Sequence, residues 1–165
     1  MKIDTKKMTL LSAIIAVAMI LSYIESLIPA FVAIPGVKMG LSNIATVFAL
    51  YTLGWQYAVC VSVVRVLLSS ILFGSFVSLT YSLFGAALAL IVMILLMKTD
   101  LFSPIGISVA GGVFHNVGQV LAACLVMQNI GISLYVIPLV LSGTIAGILI
   151  GIVSGILIRK IEKYV

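Results

Sequence analysis

Residues 35–43 read Pro-Gly-Val-Lys-Met-Gly-Leu-Ser-Asn and separate two long apolar segments of the chain. Pro35 fixes its own φ and favours extended geometry in the residue before it, so it ends the preceding segment. The two glycines of the stretch allow sharp turns and a close approach of the backbone. We interpret residues 30–38 as a loop that covers a membrane cavity, and Asn43 as part of a helix that lines it. The alternative is an ordinary helix connection with a snorkelling Lys38.

The composition excludes a soluble domain. Of the 165 residues, 64% are hydrophobic and only 8% are charged, and the mean hydropathy is +1.40. Soluble domains carry about 25% charged residues. Apolar runs of about 18 residues or more recur along the chain, which is the length that crosses a bilayer. Because these runs lack the alternation of strands, the predicted fold class is an all-α integral membrane protein.

A single transmembrane domain is predicted over residues 1–165, with six membrane-spanning helices. The predicted spans lie at approximately 8–28, 39–54, 57–73, 76–97, 105–128 and 134–158. The second span has about 16 residues and is therefore short or partly interfacial. Six spans put both termini on the same side of the membrane.

The charges report the orientation of the chain rather than a nucleic-acid partner. The net charge is +5, but most cations flank the apolar segments instead of forming a patch. The predicted inner flanks hold Lys2, Lys6, Lys7, Lys98, Arg159, Lys160 and Lys163. The outer loops hold only Lys38. This asymmetry predicts cytoplasmic termini and places the 30–38 loop on the outer side.

Arg65 is the first candidate for ligand contact, because it lies within the third span and stays charged there. Ser62 and Ser69 lie on the same face at helical spacing. A guanidinium binds anionic groups in a forked geometry. The alternative is a structural ion pair, for which Glu25 is the expected partner. Glu25 and Lys38 both belong to the outer half, where they are expected to line a cavity.

A second polar cluster lies on the fifth span, where His115, Asn116 and Gln119 are flanked by glycines. Glycines let a neighbouring surface come close, and the three polar groups need partners in the absence of water. A planar ligand lying against this surface satisfies both requirements. Contacts to a neighbouring helix are the alternative. No metal site is expected, because no second histidine and no cysteine at ligand spacing accompanies His115.

Two stripes of small residues predict close helix packing. On the first span, Ser12 and Ala16 are four residues apart, which favours docking of a partner helix. The last span carries four glycines at four-residue spacing: Gly143, Gly147, Gly151 and Gly155. We interpret this glycine stripe as packing within the chain, with docking to a partner protein as the alternative.

Two absent patterns limit the chemistry. There is no glycine-rich phosphate loop followed by Lys-Ser/Thr, so the chain is not expected to hydrolyse ATP. The only acidic residues are Asp4, Glu25, Asp100 and Glu162, and no two are close in sequence. A Mg²⁺-dependent diphosphate reaction requires clustered carboxylates. We therefore expect a protein that is not an enzyme and holds no cofactor.

The chain resembles the Gx transporter family, which is also labelled heptaprenyl diphosphate synthase component I. The motifs that carry the resemblance are the 35–43 stretch, Arg65 followed by Leu-Phe-Gly at 72–74, and Ala-Gly-Gly-x-x-His-Asn-x-Gly-Gln at 110–119. The resemblance implies an S-component-like bundle of six helices in a prokaryotic plasma membrane. S components bind vitamin-like molecules and belong to energy-coupling factor (ECF) transporters. A transmembrane coupling protein and two ABC ATPases, which use the ATP, drive them. S components often dock through Ala-x-x-x-Ala on the first helix, and here the nearest match is Ser12 to Ala16.

The leading hypothesis is therefore a substrate-binding subunit of an ECF-type transporter for a small polar or anionic molecule. Its expected substrate-binding residues are Lys38, Asn43, Arg65, His115, Asn116 and Gln119. The main alternative is a membrane subunit that serves isoprenoid quinone or flavin-linked electron transfer. A third hypothesis is an accessory component of prenyl diphosphate or menaquinone synthesis, which predicts a soluble partner.

Overall fold

The computed structural model describes residues 5–27 and 40–162, and within them the chain is helical without strands. The helices are α1 (Thr5–Leu27), α2 (Asn43–Thr52), α3 (Trp55–Phe73), α4 (Phe76–Met97), α5 (Pro104–Met127) and α6 (Val136–Glu162), with a short 3-10 helix at Ile130–Tyr135. Five of these helical segments are long and apolar enough to cross a membrane. The chain is therefore a multi-pass, all-helical membrane protein. The predicted loop 30–38, including Lys38, lies outside the described residues.

Local sequence signals explain where the long helices begin. Ser75 precedes α4, and its hydroxyl accepts a hydrogen bond from the backbone N–H of Ser78 at 3.2 Å. The hydroxyl of Ser103 likewise accepts a hydrogen bond from the backbone N–H of Gly106 at 3.3 Å. Pro104, the next residue, is the first residue of α5. Serine caps satisfy the free N–H groups of a first helical turn, and proline lacks the N–H that would need a partner there. The connections between α3, α4 and α5 therefore lie where the sequence predicts them.

The second predicted span is wrong in its length. In the structure α2 has 10 residues, whereas residues 39–54 were expected to form the span. A helix of this length rises only about 15 Å, which is half of the hydrocarbon thickness. Two glycines in the left-handed region lie beyond its ends, Gly40 with φ +85° and Gly54 with φ +98°. Because L side chains rarely adopt this conformation, both glycines favour turns rather than a continuous helix.

The short helix α2 lies inside the bundle, where it packs against α1, α3 and α6. Six consecutive residues of α2, from Ala45 to Leu50, are buried. A helix that is buried on all sides lies in the interior of a bundle rather than at its lipid surface. The non-helical residues 40–42 immediately before α2 are buried or partly buried, as backbone within a membrane must be.

The glycine stripe of α6 packs against α5 within the chain. A Cβ added at Gly147 would lie 2.6 Å from the Cα of Val109, and one at Gly151 would lie 2.7 Å from the Cα of Ile105. Gly143 faces the backbone of Gly112 on α5 in the same way. These three α6 glycines therefore leave no room for a partner helix, because α5 already occupies their face. Docking through this stripe is limited to Gly155, where an added Cβ would meet nothing within 4 Å.

Candidate functional site

The candidate site is organised around a turn at residues 40–42, which brings the chain into the bundle before α2. The backbone N–H of Asn43 donates to the carbonyl of Gly40 at 2.8 Å, and the next two N–H groups donate to Leu41 and Ser42 at 3.2 Å. Gly40 and Ser42 are buried. The first turn of α2 also carries the positive end of the helix dipole. This end of α2 favours an anionic group.

Glu25 supplies that anionic group from the last turn of α1. Its Oε1 accepts hydrogen bonds from the backbone N–H of Gly40 and from that of Leu41, the latter at 3.4 Å. The side chain is only 6% exposed. A buried carboxylate is stable when backbone donors and a nearby cation compensate its lost hydration. Glu25 therefore ties the end of α1 to the turn that precedes α2.

Arg65 is the nearby cation, and it reaches the same turn from the middle of α3. Its Nη1 donates to the hydroxyl of Ser42, and its Nη2 donates to Oδ1 of Asn43 at 3.4 Å. The side chain is 5% exposed, and its guanidinium interacts electrostatically with the Glu25 carboxylate. Glu25 on α1 and Arg65 on α3 thus both form hydrogen bonds with the 40–43 segment. Ser42 is a contact that our sequence analysis did not single out.

His115 lies between this turn and α4. A Cβ added at Gly40 would lie 3.9 Å from His115 Cδ2, and one added at Gly85 would lie 3.1 Å from His115 Cε1. The imidazole is 3% exposed. One edge of the His115 imidazole therefore lies near Gly40. The other edge lies near Gly85 on α4. The position of Gly85 is a second feature that the sequence analysis missed.

Asn116 and Gln119 extend the polar surface of α5 in two directions. Asn116 Nδ2 donates to the carbonyl of Leu139 at 2.6 Å, so this side chain contacts α6. Gln119 is fully buried and packs against α4, since a Cβ at Gly85 would lie 2.9 Å from Gln119 Cγ. Both amide atoms of Gln119 are without a hydrogen-bond partner among the described residues.

Gln119 is one of several buried polar groups that have unused hydrogen-bonding capacity. Within residues 5–27 and 40–162, the other buried atoms without a partner include Glu25 Oε2, Arg65 Nε, Tyr81 Oη, Ser82 Oγ and Asn116 Oδ1. A buried polar atom without a partner costs about 1–3 kcal/mol. These atoms can hydrogen-bond a polar ligand, which would remove that cost. Tyr81 and Ser82 are further residues that the sequence analysis did not name.

The structure thus brings Glu25, Asn43, Arg65 and His115 together around the 40–43 turn. Asn116 contacts α6 and Gln119 contacts α4, so these two polar side chains of α5 pack against different helices. Lys38 lies outside the described residues. Across the described chain, no group of three His, Cys, Asp or Glu side chains is placed to hold a metal ion.

Comparison with known proteins gives one match. A family model described as heptaprenyl diphosphate synthase component I matches residues 14–157. That range includes every residue of the candidate site and five of the six helices in full or nearly so. No curated protein and no solved structure matches the chain.

Proposed function

Because the chain belongs to the heptaprenyl diphosphate synthase component I family, as its motifs predicted, we propose that it is a membrane-embedded substrate-binding subunit of an ECF-type transporter. Its substrate is a small molecule with an anionic or strongly polar group. The protein itself performs no chemical step, and it acts in the plasma membrane of a prokaryote.

The observation that carries this proposal is the burial of Arg65 near the middle of a membrane-spanning helix. An ionisable residue at this depth is costly, and it is found mainly where it pairs with another group or binds a ligand. Arg65 does have partners in Ser42 and Asn43, yet its Nε has no hydrogen-bond partner among the described residues. The positive end of α2 lies beside it, which adds to the attraction for an anionic group.

The remaining polar atoms support a ligand that also has uncharged hydrogen-bonding groups. Gln119 offers both a donor and an acceptor, and Tyr81 offers a hydroxyl. Glu25 opposes Arg65 in charge, so an anion would compete with Glu25 for the same donors. We propose that Glu25 fixes the α2 turn while Arg65, His115 and Gln119 contact the substrate.

Energy for transport would come from partner proteins. The sequence has no Walker-type phosphate loop, and its four acidic residues include Glu25, whose Oε1 is already bound to backbone N–H groups. We propose that a transmembrane coupling protein and ABC ATPases associate with the chain. Ser12 and Ala16 support this proposal, because both are exposed on α1 and leave a smooth surface there.

The test is purification of the tagged protein from its native membrane in mild detergent, followed by mass spectrometry of the proteins that accompany it. Stoichiometric ABC ATPases and a coupling protein are the expected result. Redox proteins or a soluble prenyl synthase in their place would overturn the transporter assignment.

A second candidate function is a membrane subunit for isoprenoid or quinone metabolism, which the description of the family favours. In that case the chain would accompany a soluble partner with its own metal-binding carboxylates. Extraction of a stoichiometric quinone, flavin or prenyl diphosphate from the purified protein would favour this second candidate.

A further inference from the structure

An apolar groove lies between α1, α2 and α6, and its lining includes none of the polar residues of the candidate substrate site. Its volume is about 240 Å³, and its lining is almost entirely apolar. The groove is lined by Leu10, Ala13, Ile14, Val17, Ile44, Ala45, Phe48 and Leu157. Nothing in the proposed function uses this surface.

One end of the groove is basic. Lys6 and Lys7 precede Leu10 by four and three residues, and Lys160 follows Leu157 by three. With a period of about 3.6 residues per turn, these spacings put the three lysines on the helix faces that line the groove. All three side chains are exposed. The start of α1 and the end of α6 lie at the same end of the bundle, because Leu10 and Leu157 line one groove.

We propose that this groove binds one acyl chain of an anionic phospholipid, with the lipid phosphate held by Lys6, Lys7 and Lys160. The apolar lining matches a hydrocarbon chain, and the lysines match a phosphate at the membrane surface. Basic pockets between transmembrane helices are a known type of site for anionic headgroups.

The lining favours a thin flexible chain over a protein helix. Close approach of two membrane helices requires small residues, whereas most of the lining side chains are large and only Ala13 and Ala45 are small. The predicted docking pair Ser12 and Ala16 points about 130° away from the mean direction of the groove residues of α1, as follows from a helical period of about 3.6 residues. A partner helix on that pair and a lipid in the groove therefore use different faces.

The test uses the fluorescence of a tryptophan in the groove to determine which lipid binds there. In a Trp55→Phe background, Val17→Trp places the probe in the groove and Leu125→Trp places a control on the exposed face of α5. The proteins are reconstituted in vesicles that contain brominated phosphatidylglycerol or brominated phosphatidylcholine, and fluorescence quenching gives their relative binding. The groove probe is expected to show at least about a fivefold preference for the anionic lipid, the effect of one lysine near the surface. The α5 probe is expected to show little preference.

The lysines are then tested with matched variants. The triple substitution Lys6→Gln, Lys7→Gln and Lys160→Gln is expected to abolish the preference at the groove probe. Lys98→Gln, at an exposed lysine in the turn after α4, is expected to leave it intact. Equal quenching by both lipids at the groove probe would overturn the proposal. Protection of that probe from both lipids would also overturn it, because a protein surface would then cover the groove.

A second measurement does not depend on the probe. Lipids that remain with the detergent-washed protein are identified by mass spectrometry, and about one phosphatidylglycerol per chain is expected for the native sequence. Its loss in the triple lysine variant supports the site. Retention in that variant, or an isoprenoid in its place, would contradict it. Because none of the substituted residues belongs to the polar site, failure here leaves the transporter assignment to its own test.

Discussion

Arg65, near the middle of α3, donates a hydrogen bond to the hydroxyl of Ser42, the residue immediately before α2. This contact fixes the start of a short helix with a charge that comes from a neighbouring helix. Since the Arg65 side chain is buried, its charge interacts more strongly with its neighbours than it would at a surface. The same guanidinium is the expected anchor for an anionic substrate.

Arg65→Ala is expected to lower substrate affinity about 10- to 150-fold, because one hydrogen bond from a charged group contributes about 1.5–3 kcal/mol. The first measurement is the amount of small molecule released by denaturing the purified wild-type and variant proteins. The released compound is then titrated into both proteins by calorimetry. Ser42→Ala is the matched control, since it removes a partner of Arg65 but keeps the charge. Equal affinity in wild type and Arg65→Ala would exclude Arg65 from the binding site.

Glu25→Ala is expected to destabilise the protein by about 1–3 kcal/mol, because the backbone N–H groups of Gly40 and Leu41 lose their acceptor. Glu25→Gln keeps a carbonyl acceptor and should cost less, although it leaves the Arg65 charge uncompensated. Thermal unfolding in detergent measures both variants. If neither substitution changes the midpoint, the contact between α1 and the turn does not contribute to stability.

Gly147→Ala is expected to cost about 1–3 kcal/mol, since the added methyl group would lie 2.6 Å from the Cα of Val109. Gly155→Ala in the same stripe is the matched control. It meets nothing within 4 Å and should be neutral or stabilise the protein by up to about 1 kcal/mol through helix propensity. Similar unfolding midpoints for the two variants would contradict close packing of α5 on α6 at Gly147.

Gln119→Leu is expected to separate stability from ligand binding. It replaces two amide atoms that have no hydrogen-bond partner in the part of the chain that the structure describes, so the unfolding midpoint should stay the same or rise. Substrate affinity should fall, because the ligand loses both a donor and an acceptor. Asn116→Leu is the comparison, and it should lower stability because it breaks the 2.6 Å bond to Leu139. A stable Gln119→Leu variant with full affinity would remove Gln119 from the site.

Ala16→Trp is expected to disrupt association with a coupling protein, because a bulky side chain prevents close approach of another helix. The measurement is recovery of the partner proteins with the tagged chain. Leu125→Trp, on the exposed face of α5, should leave recovery unchanged. Both variants should retain substrate, since neither position contacts the polar site. Full recovery with Ala16→Trp would exclude this face of α1 as the docking surface.

The apolar helices could be predicted because a bilayer imposes a length and a composition that are visible in sequence alone. The predicted span at 76–97 coincides with α4, and the predicted span at 105–128 begins one residue after Pro104, the first residue of α5. The second span was less predictable. Its apolar run continues on both sides of α2, and hydropathy does not report that Gly40 and Gly54 adopt positive φ.

The polar site was predictable only as a set of residue types. Glu25, Arg65 and His115 are conspicuous because ionisable side chains are costly in a membrane. An interaction between Glu25 and Arg65 was among the expectations, but no periodicity indicates that Glu25 also accepts hydrogen bonds from the backbone N–H groups of Gly40 and Leu41. Tyr81 and Ser82 were missed because hydroxyl groups within apolar helices are common and carry no distinctive spacing.

The sequence by itself determined that this chain is a helical membrane protein of its family, because hydrophobicity and local motifs act over short stretches of chain. Tertiary structure decided that α2 is a half-length helix inside the bundle and that Arg65 meets Ser42. It also decided that the glycine stripe of α6 is covered by α5. Each of these facts depends on contacts between residues that are distant in sequence, and such contacts follow from how the helices pack together rather than from the pattern of any one helix.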